Sequence, residues 1–222
     1  MTYSNEMTLL SPYNQQQKEA LLMVRQHLSG LPLSQLRRLK KRITSYLGFR
    51  EAVASFQKAH FADLCSEKCF TSYTSACCGR EGIITFFADV VVNVLFSTQE
   101  EIDVLLDILD TDTGGLNCVY LNNTGCLWRV KPIVCEMFLC KHAKNLVLDN
   151  NKALQSQWET FRQRERRYTW PTRPVLFDEL EDYFIGAGFD SPLMYLHRSP
   201  GLLQLKARHG LDRKQSSKGR QV

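Results

Sequence analysis

Residues 33–56, LSQLRRLKKRITSYLGFREAVASF, contain the pattern that decides the fold class. Apolar residues in this stretch recur at steps of three and four, which places them on one face of an α-helix. They are Leu36, Leu39, Ile43, Tyr46, Leu47, Val53 and Phe56. The stretch therefore predicts a long amphipathic helix and favours a mainly α fold. The basic run Arg37 to Arg42 lies between these positions, and we expect it to face solvent.

Helical patterns continue on both sides of this stretch. Ser97-Thr98 followed by Glu101 is a capping box, and Pro132 suits the first position of a short helix. The predicted helices cover 18–28, 83–96, 102–109, 132–140, 150–167, 175–185 and 202–209. For residues 83–96 the β-branched content leaves a strand as the alternative. Two short runs of strand character, 116–121 and 126–130, predict a small β-hairpin.

We therefore expect bundle-like helical flanks around a small cysteine-rich metal-binding core that contains the hairpin. The predicted divisions are N-terminal helices over 1–64, the cysteine-cluster core over 65–140, and C-terminal helices over 141–210 that pack on the core. Residues 211–222 are a basic tail with almost no apolar residue, and we expect this tail to be disordered.

Charge changes sign at the same divisions. Residues 1–64 contain nine Lys and Arg against four Asp and Glu, a net charge of +5. Residues 65–140 contain four Lys and Arg against ten Asp and Glu, a net charge of −6. Residues 141–222 contain 15 Lys and Arg against nine Asp and Glu, a net charge of +6. An acidic middle disfavours phosphate contact there and suits metal cations better.

All eight cysteines lie within the middle division. Their order is C-x3-C-x7-C-C, then 39 residues, then C-x7-C-x8-C-x4-C. The predicted metal ligands are Cys65, Cys69, Cys77, Cys78, Cys118, Cys126, Cys135 and Cys140. Clustered thiols in a reducing compartment are typical of zinc or iron–sulfur sites, although disulfides or buried thiols remain alternatives at this point. His142 follows the last cysteine closely, and we interpret it as a bystander.

The cysteine order resembles the YkgJ-type family of zinc- or iron-chelating cysteine-cluster proteins. The resemblance rests on Cys77-Cys78-Gly79 and on residues 118–140, CVYLNNTGCLWRVKPIVCEMFLC. Leu121 and Phe138 fit the family pattern, whereas Trp128 replaces a Tyr, Lys131-Pro132 replaces Arg-Pro, and Glu136 replaces an Arg. The resemblance covers about residues 65–140 and implies a chelated zinc or iron centre. Fli-type lysine methylases have a related cysteine arrangement, so the resemblance also admits an iron–sulfur enzyme.

The leading hypothesis is a metal-binding protein with a structural or metal-handling role, whose partner is a metal ion. The alternatives are an iron–sulfur redox protein or enzyme, and an interaction module that uses the basic flanking helices. No Ser-His-Asp order, phosphate loop or dinucleotide fingerprint occurs, so the sequence does not decide whether the protein is an enzyme. Nucleic acid is not an expected partner, because no aromatic stacking platform accompanies the basic run.

The expected location is the cytoplasm, without membrane insertion. The N-terminus lacks the basic and apolar regions of a secretory signal. The longest apolar stretch, Ile83 to Phe96, has 14 residues and includes Asp89 and Asn93, whereas a membrane-spanning helix needs about 20.

Overall fold

We describe the fold from a computed structural model of the chain. It describes residues 11–65, 84–111, 118–122, 125–169 and 174–195, together with 203, 204 and 207. The α-helices are α1 (Pro12–Ser29), α2 (Leu33–Cys65), α3 (Phe87–Phe96), α4 (Gln99–Leu109), α5 (Ile133–Glu136), α6 (Lys141–Ala143), α7 (Lys152–Thr169) and α8 (Leu176–Gly186). A π-helical turn (Lys144–Leu148) follows α6, and a 3-10 turn (Pro192–Tyr195) follows α8. The mainly helical expectation is confirmed.

Helix α2 has the predicted amphipathic pattern. Leu39 is 5% exposed and Ile43 is fully buried, whereas the five basic residues of the run Arg37 to Arg42 are exposed. The predicted solvent-facing position of this run is confirmed. None of the described helices is long and apolar enough to cross a membrane.

Helix α3 begins later than its apolar run predicts. The helix begins at Phe87, and the described residues before it, Ile84 to Phe86, have extended or irregular backbone. The carboxylate of Asp89 accepts a hydrogen bond from the backbone N–H of Phe86 at 3.1 Å. This hydrogen bond satisfies a backbone donor at the N-terminus of α3 and fixes the position where the helix begins. The capping box predicted before α4 is confirmed, since Thr98 and Glu101 exchange hydrogen bonds.

The single helix predicted from Pro132 through Cys140 is wrong in its extent. Helix α5 ends at Glu136, and α6 begins at Lys141. Cys140 has extended backbone, and its thiol accepts a hydrogen bond from the backbone N–H of Ala143 at 3.4 Å. Because this thiol caps the next helix, the chain breaks into two short helices rather than one.

One antiparallel ladder of two residue pairs lies between α4 and α5. Strand β1 (Leu121–Asn122) pairs with β2 (Gly125–Cys126), with Leu121 opposite Cys126. The ladder is shorter than the strand runs predicted over 116–121 and 126–130. Residues 211–222 and most of the predicted helix 202–209 lie outside the described residues.

The hydrophobic core is continuous from α1 to the 3-10 turn. Helix α1 packs on α3 and α4, α3 packs on α8, and α7 packs on α2 and α8. Tyr120, Trp128 and Ile133 belong to the same core as the helices, with exposures of 1%, 3% and 0%. Residues of the predicted cysteine-rich division are therefore packed into the core that the flanking helices form.

Candidate functional site

Four of the eight predicted metal ligands have described side chains. They are Cys118, Cys126, Cys135 and Cys140, and all four side chains are half-buried. Cys69, Cys77 and Cys78 lie outside the described residues. Cys65 is the last residue of α2, and its side chain is not described. From their order in the sequence we predict that Cys65, Cys69, Cys118, Cys126, Cys135, Cys140 and at least one of Cys77 and Cys78 gather in one region, and this stays a prediction.

A turn and the β-ladder bring Cys118 close to Cys126. The backbone N–H of Leu121 donates to the carbonyl of Cys118 at 3.0 Å, and Leu121 is directly opposite Cys126. The Leu127 N–H also donates to the carbonyl of Tyr120 at 2.9 Å, which continues the pairing. A turn of this kind keeps its ends within about 7 Å, and paired strand residues lie about 5 Å apart. These two spans keep the Cα atoms of Cys118 and Cys126, eight positions apart in sequence, within about 12 Å of each other.

Three of the predicted ligands act electrostatically on Tyr13, which lies on the first turn of α1. Burial raises the pKa of Tyr13 far above its usual range, and the Thr85 hydroxyl opposes this shift. The charges of Cys118, Cys135 and Cys126 raise the pKa further, in that order. Coulombic effects of this kind need the charged atoms to be close, so three predicted ligands lie near one phenol.

Two polar side chains of α3 hold the backbone between Val130 and Ile133. Asn93 donates from Nδ2 to the carbonyl of Val130 at 2.8 Å. Asp89 accepts from the backbone N–H of Ile133 at 3.0 Å, at the start of α5. The two residues are one helical turn apart, so they point from the same side of α3. They satisfy buried backbone groups that have few other partners in so short a segment.

Two side chains of α2 complete this attachment. Arg50 donates from Nη2 to the carbonyl of Lys131 at 2.5 Å and from Nη1 to the hydroxyl of Tyr46 at 2.7 Å. Gln57 donates to the carbonyl of Glu136, the last residue of α5. Together α2 and α3 hold residues 130–136 at four backbone positions. Helix α5, with Cys135, is thus positioned by side chains from two longer helices rather than by its own length.

A buried ion pair lies beside this attachment. Arg50 Nη2 is 3.6 Å from Oε2 of Glu136, and the two side chains are only 6% and 5% exposed. Burial lowers the pKa of Arg50, but Tyr46, Asp89 and Glu136 outweigh it, so the net shift is upward and the guanidinium stays charged. Lys131 Nζ lies 3.9 Å from the same carboxylate oxygen. A cavity of about 330 Å³ opens next to the pair, between α2, Phe96 and residues 129–136.

Cys140 and His142 lie at the far end of the segment. The Cys140 thiol is the cap of α6, and His142 is exposed on that helix. Within the described ranges, no three His, Cys, Asp or Glu side chains form a group that could hold a metal ion. The described thiols therefore do not form a metal site among themselves.

The sequence did not reveal the residues that position the site. Asp89 and Asn93 counted only as evidence against a membrane span, and Arg50 and Gln57 were not singled out. A signal did exist for the first two, because two polar residues spaced i and i+4 in an apolar helix imply a buried polar partner. Nothing local pointed to residues 130–136 as that partner.

The chain matches no protein-family model, no curated protein and no solved structure. The resemblance to the YkgJ-type family stays a prediction that rests on the cysteine order.

Proposed function

We propose that this protein binds zinc or iron, the latter as an ion or an iron–sulfur cluster, through its clustered cysteine thiolates. The observation that carries the proposal is the position of Cys135 on α5, which side chains of α2 and α3 hold at both ends, with Cys126 on the neighbouring β-ladder. Thiolates are the preferred protein ligands of these soft metals. The role is structural or metal-handling.

The attachment of residues 130–136 supports the proposal because hydrogen bonds around a metal site orient the residues that hold the metal. Surrounding hydrogen bonds fix the ligand segments in known metal sites and are important for affinity. Here Asp89 fixes the start of α5 and Gln57 fixes its end, so the position of Cys135 is restricted at both sides. The remaining ligands in the proposal are Cys65, Cys69, Cys77, Cys78 and Cys140.

The proposal needs reduced cysteines, because the thiolate is the form that binds these metals. Disulfides are rare in the cytosol and common in secreted proteins. The proposal therefore places the protein in the cytoplasm, where thiolates remain available to metals.

The test is metal analysis of protein purified without chelators under anaerobic conditions, by mass spectrometry and absorption spectroscopy. We expect about one metal or more per chain, colourless for zinc and brown for iron–sulfur. Cys126→Ser and Cys135→Ser should each lower the metal content, because a hydroxyl is a poor ligand for soft metals.

The matched control is Val134→Thr, which puts a hydroxyl next to Cys135 on the same helix and should keep the full metal content. A wild-type protein that stays free of metal after reconstitution with zinc, or with iron and sulfide, would overturn the proposal.

A further inference from the structure

The cavity beside the Arg50–Glu136 ion pair is lined by both charged and apolar side chains, and its volume is about 330 Å³. One wall is a single face of α2, because four lining residues follow helical spacing: Leu47, Arg50, Glu51 and Ala54. Phe96 at the end of α3, residues 129–131 and Glu136 form the other walls. We call this feature the α2 cavity. Sites for small molecules have volumes of about 300–1,000 Å³, so the α2 cavity is large enough for a small ligand.

Hydrogen bonds from buried side chains hold the walls of the α2 cavity in place. Arg50 joins α2 to the carbonyl of Lys131 at 2.5 Å, and Asn93 joins α3 to the carbonyl of Val130 at 2.8 Å. Both carbonyls belong to residues that line the cavity. A site whose walls are already fixed loses little conformational freedom when a ligand enters. The shape of the α2 cavity is thus set by the fold itself.

The lining residues of the α2 cavity have a net positive charge. Three of them are cations and two are carboxylates, a net charge of +1: Arg50, Arg129 and Lys131 against Glu51 and Glu136. Lys40 and Glu101 lie next to this lining. Lys40 Nζ is over the ring of Phe96 at 5.5 Å, and Glu101 Oε2 is 3.2 Å from Arg129. Their charges are opposite and do not change the sum, so the lining favours an anion inside the cavity.

Arg129 and Lys131 are the accessible cations of the lining. Their side chains are 50% and 48% exposed. Glu101, the partner of Arg129, is itself 39% exposed, and Lys131 Nζ is 3.9 Å from the carboxylate of Glu136. Exposed ion pairs contribute little stability, so a ligand anion can take the place of Glu101 beside Arg129.

Arg50 adds a buried cation to the same lining, and within the described residues its hydrogen bonds go to neutral acceptors. Its Nη atoms donate to the hydroxyl of Tyr46 and to the carbonyl of Lys131, while Glu136 lies beyond hydrogen-bond distance at 3.6 Å. Its Nε is buried and has no hydrogen-bond partner in the described part of the chain. A buried charged donor without a partner is costly, so an anionic acceptor beside Arg50 is favourable.

We propose that the α2 cavity binds a small aromatic carboxylate, which its cations hold and its apolar side chains cover. The net charge of +1 balances one carboxylate, whereas a phosphate with two charges would place excess negative charge beside Glu51 and Glu136. Leu47, Phe96 and Val130 present apolar surface to a ring, and aromatic rings pair favourably with one another. This inference is independent of the proposed metal site.

The test is a titration of the full chain with benzoate, followed by two-dimensional NMR of the backbone N–H groups. We expect a dissociation constant of about 1 mM, because so small a ligand has limited affinity. The largest shifts should occur at Phe96 and at residues 129–131. Benzamide has nearly the same shape without the charge, and it should bind at least about tenfold more weakly.

The double variant Arg129→Gln with Lys131→Gln should bind benzoate at least about tenfold more weakly, because it removes the accessible cations. The matched control is Lys18→Gln with Arg25→Gln, which removes the same charge from two surface ion pairs of α1. This control should bind benzoate like the wild type. Equal losses in both double variants would show a general charge effect and overturn the proposal.

A second pair of variants tests the cavity without changing its charge. Ala54→Phe places a ring in the space that the ligand needs and should weaken benzoate binding at least about tenfold. Ala59→Phe, on the exposed surface of α2 and outside the lining, is its control and should bind like the wild type. Wild-type affinity in Ala54→Phe, equal affinities for benzoate and benzamide, or no shifts at about 10 mM benzoate would each overturn the proposal.

Discussion

The helical frame (α1–α4, α7 and α8) and the cysteine segment (residues 118–122 and 125–140) are held in place by different forces. The frame buries rings against rings, as Tyr46 and Phe49 do against Tyr168 at 5.2 and 5.4 Å. The cysteine segment has two strands of two residues and one helix of four, so it cannot organise its own backbone. Polar side chains of the frame organise it instead. Apolar burial thus builds the scaffold, and directional hydrogen bonds place the thiols on it.

The largest expected effect is removal of metal from the cysteine segment. Structural zinc contributes about 10–16 kcal/mol in small peptides, more than the stability of many whole domains. A chelator should therefore abolish hydrogen-exchange protection across Cys118 to Cys140 while Leu39 to Phe56 stays protected. Unchanged protection in both regions would contradict this prediction. The Cys126→Ser variant, once free of metal, should show no further change with chelator.

The next largest effect tests burial in the frame against exposure in the cysteine segment. Phe49 is fully buried, whereas Phe138 is 44% exposed. Phe49→Ala should lower the free energy of unfolding by about 3–5 kcal/mol through lost burial and a cavity. Phe138→Ala should change it by no more than about 0.5 kcal/mol. Urea denaturation of the two variants measures both values, and similar losses would refute the division between frame and segment.

A third prediction concerns the connection between the two regions. Asp89→Ala leaves the backbone N–H groups of Phe86 and Ile133 without their carboxylate acceptor. Each lost buried partner costs about 1–3 kcal/mol, so we expect a loss of about 3 kcal/mol and faster exchange at Ile133. The control is Asp103→Ala, which removes an exposed ion pair with Arg25 and should cost less than about 1 kcal/mol. Equal costs would mean that Asp89 does not hold the segment.

The smallest effect is a pH dependence within the frame. Burial raises the pKa of Glu165 on α7 above its usual range. The native state then holds the Glu165 proton more tightly than the unfolded chain does. The free energy of unfolding therefore falls as the pH rises from about 4.3, the pKa of Glu in the unfolded chain, through the raised pKa of the native state. Glu165→Gln should stabilise the protein at pH 7, by about 0.5 kcal/mol, and not at pH 3. Thermal melts at both pH values measure this difference, and the exposed Glu159→Gln is the control. If Glu165→Gln stabilised the protein as much at pH 3 as at pH 7, the predicted role of the raised Glu165 pKa would be refuted.

Sequence patterns predicted the frame well because its helices bury continuous apolar stripes. The periodicity of residues 33–56 and the capping box before α4 depend only on neighbours in the chain. Helix starts set by single side chains were less predictable. Ser11 and Pro12 begin α1 ahead of its predicted start, and Asp89 delays α3 to Phe87.

By itself, the sequence determined the helical class, the exposed basic run of α2 and the confinement of the cysteines to one division. Only the tertiary structure decided that Asp89 and Asn93 hold residues 130–133, and that Arg50 and Gln57 hold the backbone at Lys131 and Glu136. The physical reason is the sequence separation between the residues that interact. Periodicity and caps act over a few residues, whereas these contacts join positions that become neighbours only when the helices pack.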